Sequence, residues 1–296
     1  MSLGPVYIVG AGRVGTALAL LARRAGLELA GLWTRSQASA ARVKQAVSLE
    51  CAWGALPDDI GRAQLVIVSV RDPEVPAVCG ALLDGGLLRS SQAVLHCGGA
   101  RPAAEAMANL VPSVPVGTFH PLVAAASPEQ AARAMPGAYF AIEGDDPARA
   151  RARQLARRLE VGWFELDAEQ MTPYHAAAVM ASNHAVALWH AAARLLAEAG
   201  LERARCQEVL LPLLRSTLDN VAQMPLEQAL TGPVRRGDPD TVGRHLEMIQ
   251  RRIPELADLY RAGTDQAVDL ARGSGEDLAD ALEAIGRVIR RTDPPR

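Results

Sequence analysis

Val6-Tyr-Ile-Val-Gly10-Ala-Gly12-Arg-Val-Gly15 carries four apolar residues straight into a glycine-rich turn, and a helical pattern then runs from Val14 to Ala25. A short apolar run bounded in this way reads as a buried strand. The spacing G-x-G-x-x-G at a strand-to-helix junction is the fingerprint of a loop that cradles a dinucleotide pyrophosphate. Gly10 permits the tight turn, Gly12 lets the backbone approach the phosphates, and Gly15 lets the helix pack closely on the strand. Ala11, Arg13 and Val14 complete the loop, where free N–H groups at the positive end of the helix face the anion. Without a ligand the same residues are a plain strand-to-helix turn.

Working outward, apolar runs at Glu28–Trp33 and Leu65–Val70 alternate with helical patterns at Ser39–Ala46 and Glu74–Leu83. Further strands are expected at Ala93–His96, Val116–Phe119, Ala138–Ile142 and Gly162–Leu166, with a helix at Arg149–Leu159 between the last two. This alternation predicts an α/β fold, a doubly wound and mostly parallel Rossmann sheet. After about Gln170 the pattern is helical to the end, which predicts an all-α C-terminal domain and places the domains at 1–169 and 170–296. Thr172 before Pro173 reads as a helix N-cap and Gly200 as its stop, giving one helix of roughly 40 Å. Pro212 should kink or divide the helix that follows, and Asp238-Pro239 should start another. The tail Asp293–Arg296 reads as disordered.

Hydrophobic residues are 49% of the 296 and charged residues 22%, the balance of a globular protein. A net charge of −2 and 4% aromatics give no field or stacking platform for nucleic acid. No run approaches the roughly 18 apolar residues of a membrane span, so a cytoplasmic protein with neither membrane nor nucleic-acid partner is expected. Cys51, Cys79, Cys97 and Cys206 lie far apart with no metal-ligand spacing, so they read as small hydrophobes and no metal site is expected.

The second strand bears on which dinucleotide binds. An NAD site would end it with an acidic residue for the ribose hydroxyls, whereas here it ends Trp33-Thr34-Arg35-Ser36. Arg35 can pair with a 2′-phosphate and Thr34 and Ser36 add short donors, which favours NADP(H). The alternative is a solvated Arg35 and a Ser36 that only caps a helix. Val70, Arg71, Gly98 and Gly99 follow later strands at the carboxyl edge, where ligands bind in open parallel sheets. They are read as cofactor contacts, or else as ordinary loops.

Four phrases together resemble one family: Tyr7-Ile-Val-Gly-Ala-Gly-Arg-Val-Gly15, Phe119-His-Pro-Leu122, His175-Ala-Ala-Ala178 with Ser182-Asn183, and Thr231-Gly-Pro-Val-Arg-Arg-Gly-Asp238 with His245-Leu246. They are similar to Rossmann-like oxidoreductases whose C-terminal half is a domain of unknown function. That group is allied to pyrroline-5-carboxylate reductases and includes the non-classical ketopantoate reductases. The resemblance covers almost the whole chain. It implies a helical domain of the 6-phosphogluconate dehydrogenase C-terminal type, a homodimer built through it, and NADPH-dependent reduction of a small carbonyl or imine. Related 2-hydroxyacid, hydroxyisobutyrate and ketopantoate enzymes place a catalytic lysine four residues before an asparagine. Here Asn183 is preceded at that distance by Val179, and Lys44 is the only lysine of the chain.

With lysine gone, histidine is the natural proton donor because it titrates near neutrality. His120 lies at the edge of the sheet and His175 in the first turn of the long helix. A helix N-terminus would keep His175 a neutral donor. His175, Ser182 and Asn183 share a helical face, but His175 and Asn183 are about 12 Å apart along it, so they meet different parts of a ligand. The expected catalytic residues are His120, His175 and Asn183, with Ser182 and Arg236 binding substrate. Asp238 and the glycines around Arg236 are equally simple turn and cap residues, and His184 and His190 read as packing or surface residues. The leading expectation is a reductase of an anionic 2-oxo acid such as ketopantoate. An imine reductase of the pyrroline-5-carboxylate reductase type and a non-catalytic NADP(H)-binding regulator stand as alternatives.

Overall fold

The computed structural model of the protein describes residues 3–273 and 278–290, so the Asp293–Arg296 tail lies outside the described residues. The chain packs as two compact units that meet in sequence at Asn183 and His184, inside the long helical run.

Among the described residues, the first unit is built on eight strands: β1 Val6–Val9, β2 Leu29–Thr34, β3 Ala52–Trp53, β4 Leu65–Val68, β5 Ala93–His96, β6 Val116–Pro121, β7 Tyr139–Gly144 and β8 Gly162–Glu165. Their spatial order is β3-β2-β1-β4-β5-β6-β7-β8. Only β6 and β7 run antiparallel; every other neighbouring pair is parallel. Successive residues of a strand point to opposite faces, and here each face has its own core. Ile8 and Ile67 belong to one cluster, while Tyr7, Val9, Val66 and Val68 belong to the other. Covering both faces explains why these strands read as unbroken apolar runs. Each such side chain contributes about 1.5–3 kcal/mol by burial.

Helices α1 Arg13–Arg24, α2 Gln37–Val47, α3 Val75–Asp84, α4 Ala103–Ala106, α5 Pro128–Ala134, α6 Asp146–Leu159 and α7 Met171–Val179 complete this unit. Strand order reverses between β1 and β4, so α1 begins at the switch point where ligands enter such sheets.

The second unit holds α8 Ala185–Glu198, α9 Arg203–Gln223, α10 Leu226–Ala229, α11 Pro239–Arg252, α12 Ala257–Arg272 and α13 Ala279–Arg290. Val242, Val268, Leu282 and Ile285 form its apolar centre. Among the described residues no helix is long and apolar enough to cross a membrane.

Three expectations need correction. Thr172 is not the N-cap: Asp167 and Gln170 form a capping box around the preceding 3-10 turn, and the helix already runs from Met171. His175 is therefore beyond the first turn, away from the unsatisfied N–H groups that carry the helix charge. α9 continues through Pro212 undivided. The helical run from Met171 to Glu198 also carries a π turn, Met180–His184, between α7 and α8.

Candidate functional site

Two of the three loop glycines answer steric demands that only glycine meets. Gly10 has φ +99°, and a Cβ there would lie 2.6 Å from the Ser69 carbonyl oxygen. A Cβ on Gly15 would lie 2.3 Å from the Gly10 carbonyl oxygen, so close helix–strand packing depends on its absence. At Gly12 a Cβ would meet nothing within 4 Å, so the protein's own packing does not require that glycine. Gly12 is the N-cap of α1 and supplies no side-chain acceptor, leaving the first N–H groups of the helix to a ligand. Thr16 braces the loop by donating to the Ala11 carbonyl at 3.1 Å.

A hollow of about 800 Å³ opens over this loop, lined by Gly10, Gly12, Thr34, Arg35, Ser36, Val70 and Arg71 among others. A neighbouring hollow of about 350 Å³ takes in Ala11, Gly12, Arg13 and Thr34. Val14 instead packs against the core beneath the sheet. Ser36 also caps α2, accepting from the Ser39 N–H at 3.3 Å.

Glu74 completes the rim and was not anticipated. Its Oε1 accepts from Arg35 Nη1 at 2.9 Å and from Arg71. The two guanidinium groups, that of Arg71 first, hold the Glu74 carboxyl below the usual carboxylate range. Both arginines are largely exposed, so these ion pairs are weak and can be exchanged at little cost. The loop and the helix end fit the pyrophosphate of a dinucleotide, and the two arginines stand on the rim of the same hollow. The carboxylate between the arginines is the one feature that a second anion would have to displace.

His120, at the end of β6, faces a separate cavity of about 610 Å³ that it lines with Tyr174, His175, Ser182, Asn183 and Phe164. Its Nδ1 lies 2.6 Å from the Tyr174 hydroxyl, and its ring is 6.1 Å from that of His175 in an edge-on contact. Burial, and then repulsion from His175, push the His120 pKa down to about 4. Burial pushes the Tyr174 hydroxyl up to about 12. Near neutral pH both are uncharged, and the Tyr174 hydroxyl and His120 Nδ1 share one hydrogen bond whose direction follows the His120 tautomer. Ser182 and Asn183 reach the same cavity from the π turn, a feature often found at functional sites.

The sequence-derived residues thus fall into groups. His120, His175, Ser182 and Asn183 come together, as do the glycine loop, Thr34, Arg35, Ser36, Val70 and Arg71. Gly98 and Gly99 serve the protein's own packing: a Cβ on Gly98 would lie 2.4 Å from Asp72 Oδ1, and one on Gly99 would lie 2.8 Å from His120 Cε1. Arg236 belongs to the second unit, in the turn before α11, where its N–H donates to the Gly232 carbonyl at 3.2 Å. Asp238 caps α11 by accepting from the Thr241 N–H at 2.9 Å. His184 and His190 are exposed. Of the residues missed, Tyr174 adjoins His175 and Glu74 stands three after Arg71. Those proximities were the only local signals for either.

Residues 3–121 match a Rossmann-like domain, and residues 138–267 match a domain of unknown function, DUF2520. A search of curated proteins returns no match. Among solved structures, a Bacteroides fragilis protein assigned by name as an NADP oxidoreductase is 25% identical, with a TM-score of 0.70 over 89% of this chain and 97% of that one. A Thermotoga maritima protein, TM1727, is 22% identical with a TM-score of 0.72, covering 92% of this chain and all of the other, 100%. Pyrroline-5-carboxylate reductase from Streptococcus pyogenes is 15% identical with a TM-score of 0.62, covering 92% and 99%.

Proposed function

We propose that this chain, which joins a Rossmann-like domain to a DUF2520 domain, is an NADPH-dependent reductase of a small anionic carbonyl compound of the 2-oxo acid class, such as ketopantoate. The observation that carries the reading is the cluster of His120, Tyr174 and His175 on the wall of a cavity shared with Ser182 and Asn183.

NADP(H) would be held at its pyrophosphate by the Gly10–Gly15 loop and at its 2′-phosphate by Arg35 and Arg71, with Thr34 and Ser36 beside them. When bound, it supplies the hydride. The protein's part is to polarise the carbonyl and manage the proton. With the Tyr174 hydroxyl donating to Nδ1, the His120 Nε2–H is the donor offered to a developing alkoxide. Ser182 and Asn183 orient the rest of the substrate, and Arg236 is proposed as a residue that binds an anionic group. The chain is further proposed to form a homodimer through its helical unit. In support, Val186, Leu188, Leu213 and Leu218 are all more than half exposed. A monomer in sedimentation at about micromolar concentration would refute the dimer.

One observation favours a second reading of the cofactor. Glu74 places a carboxylate where the ribose hydroxyls of NADH could be bound. The test is an oxidation assay of the purified protein with NADPH and NADH against 2-oxo acids and cyclic imine acids. Turnover of a 2-oxo acid with NADPH is expected. Imine turnover would move the assignment to the pyrroline-5-carboxylate reductase type, and binding of NADPH without any turnover would make the chain a regulator.

A further inference from the structure

Beneath the His120 cavity lies a row of buried polar side chains that the reading above does not use. Register places His96 of β5 opposite Thr118 of β6, and Thr118 opposite Glu143 of β7. The three are 1%, 0% and 4% exposed, in a sheet whose buried residues are mostly apolar. Such groups are costly there unless every one is satisfied. They are satisfied by one another and by a single loop. The Gly98 N–H donates to His96 Nδ1 at 3.2 Å, which leaves the ring proton on Nε2. That N–H donates to Thr118 Oγ1 at 2.9 Å, and the Thr118 hydroxyl donates to Glu143 Oε2 at 3.0 Å. The same Oε2 accepts the Ala103 N–H at 2.8 Å, at the start of α4, where Pro102 offers no side-chain cap.

The row therefore grips the loop between β5 and α4 at both ends, at Gly98 through His96 and at Ala103 through Glu143. Between those ends, Gly99 packs against the His120 ring, too close for a Cβ. His120 is held from two sides: by this floor, and by Tyr174 at Nδ1. The order of donors and acceptors is stable near neutral pH, because burial and then repulsion from His120 hold His96 down to about 4.

We propose that Thr118, with His96 and Glu143, is a positioning residue that seats His120 by clamping the Gly98–Gly99 loop beneath its ring. The proposal rests on the reductase reading for its effect on turnover, but not for its effect on His120 itself.

The experiment compares Thr118→Val with Thr118→Ser in the full-length protein. Valine keeps the shape and removes the hydroxyl; serine keeps the hydroxyl. Three quantities are read: the imidazole carbon and proton resonances of His120, the NADPH dissociation constant, and kcat. Thr118→Val is expected to shift and broaden the His120 resonances and to lower kcat at least about tenfold, with NADPH affinity within about twofold of wild type. Thr118→Ser is expected to restore all three. Should the valine variant fail to fold, Thr118→Ala, which adds no apolar bulk beside Glu143, carries the same expectations. Unchanged His120 resonances in the hydroxyl-free variant would overturn the proposal, as would equal losses in valine and serine variants. If wild type turns over no substrate while the His120 resonances still move with valine and not with serine, the clamp stands and the reductase reading falls.

Discussion

Acidification should destabilise the first unit through its two buried histidines, in a pH window that their surroundings set. His96 is 1% exposed, and burial followed by repulsion from His120 brings its pKa from 6.5 down to about 4. His120 is brought down to about 4 by burial and then by His175. Both rings are thus neutral in the folded protein down to about pH 4, while in the unfolded chain they take up protons from about 6.5 downward. Below 6.5 the unfolded state binds more protons, so this contribution to stability is fully present above 6.5 and is lost as pH falls to 4. For His96, roughly 2.5 pH units at 1.36 kcal/mol per unit give a loss of about 3 kcal/mol. The contribution of His120 adds to this but not in full, because part of the His96 shift is the charge of His120 itself. Midway through the window the slope should approach about 1.4 kcal/mol per pH unit for each ring. Urea unfolding followed on the amide signals of β4 and β5, at several pH values between 4 and 7, measures that slope. In His120→Asn the slope should fall by about one proton, leaving that of His96. Native imidazole resonances that titrate near 6.5 would refute the reasoning, as would an unchanged slope in His120→Asn.

Arg35→Ala should weaken NADPH by about ten- to a hundredfold, the loss of a charged hydrogen bond, while barely touching NADH; equal losses in a binding titration would remove the 2′-phosphate from Arg35. Tyr174→Phe deletes the hydroxyl bonded to His120 Nδ1 and should cut kcat by about 10²-fold with NADPH binding unchanged, so an equal rise in KM and no fall in kcat would count against it. Gly99→Ala puts a Cβ 2.8 Å from His120 Cε1, while Tyr174 holds the same ring at Nδ1, so the ring or the loop must shift. A stability loss of about 1–3 kcal/mol in thermal or urea melts is expected, and a neutral substitution would mean that the loop, not the ring, gives way.

What could be read in the sequence divides along a physical line. Gly10 and Gly15 were legible because a positive φ and a close backbone approach are demands a residue carries by itself. The two-faced parallel sheet was legible because it needs unbroken apolar strands, and Val6–Val9 and Leu65–Val68 supply them. Where a role exists only through a distant partner, the sequence was silent. β3 is two residues long and pairs only with the end of β2, so no local pattern marks it. The antiparallel pairing of β6 with β7 is a matter of register, and register is what brings His96, Thr118 and Glu143 into line. Glu74 meets Arg35 across 39 residues and Tyr174 meets His120 across 54. Gly99 shows both sides of the division. Its smallness pointed to a close approach, and its place at the carboxyl edge of the sheet reads as a cofactor contact or else an ordinary loop. The ring it approaches belongs to His120, some twenty residues onward in the next strand. A glycine at the edge of a sheet therefore announces that something comes near, and only the fold says whether that something is the ligand or the side chain that will act on it.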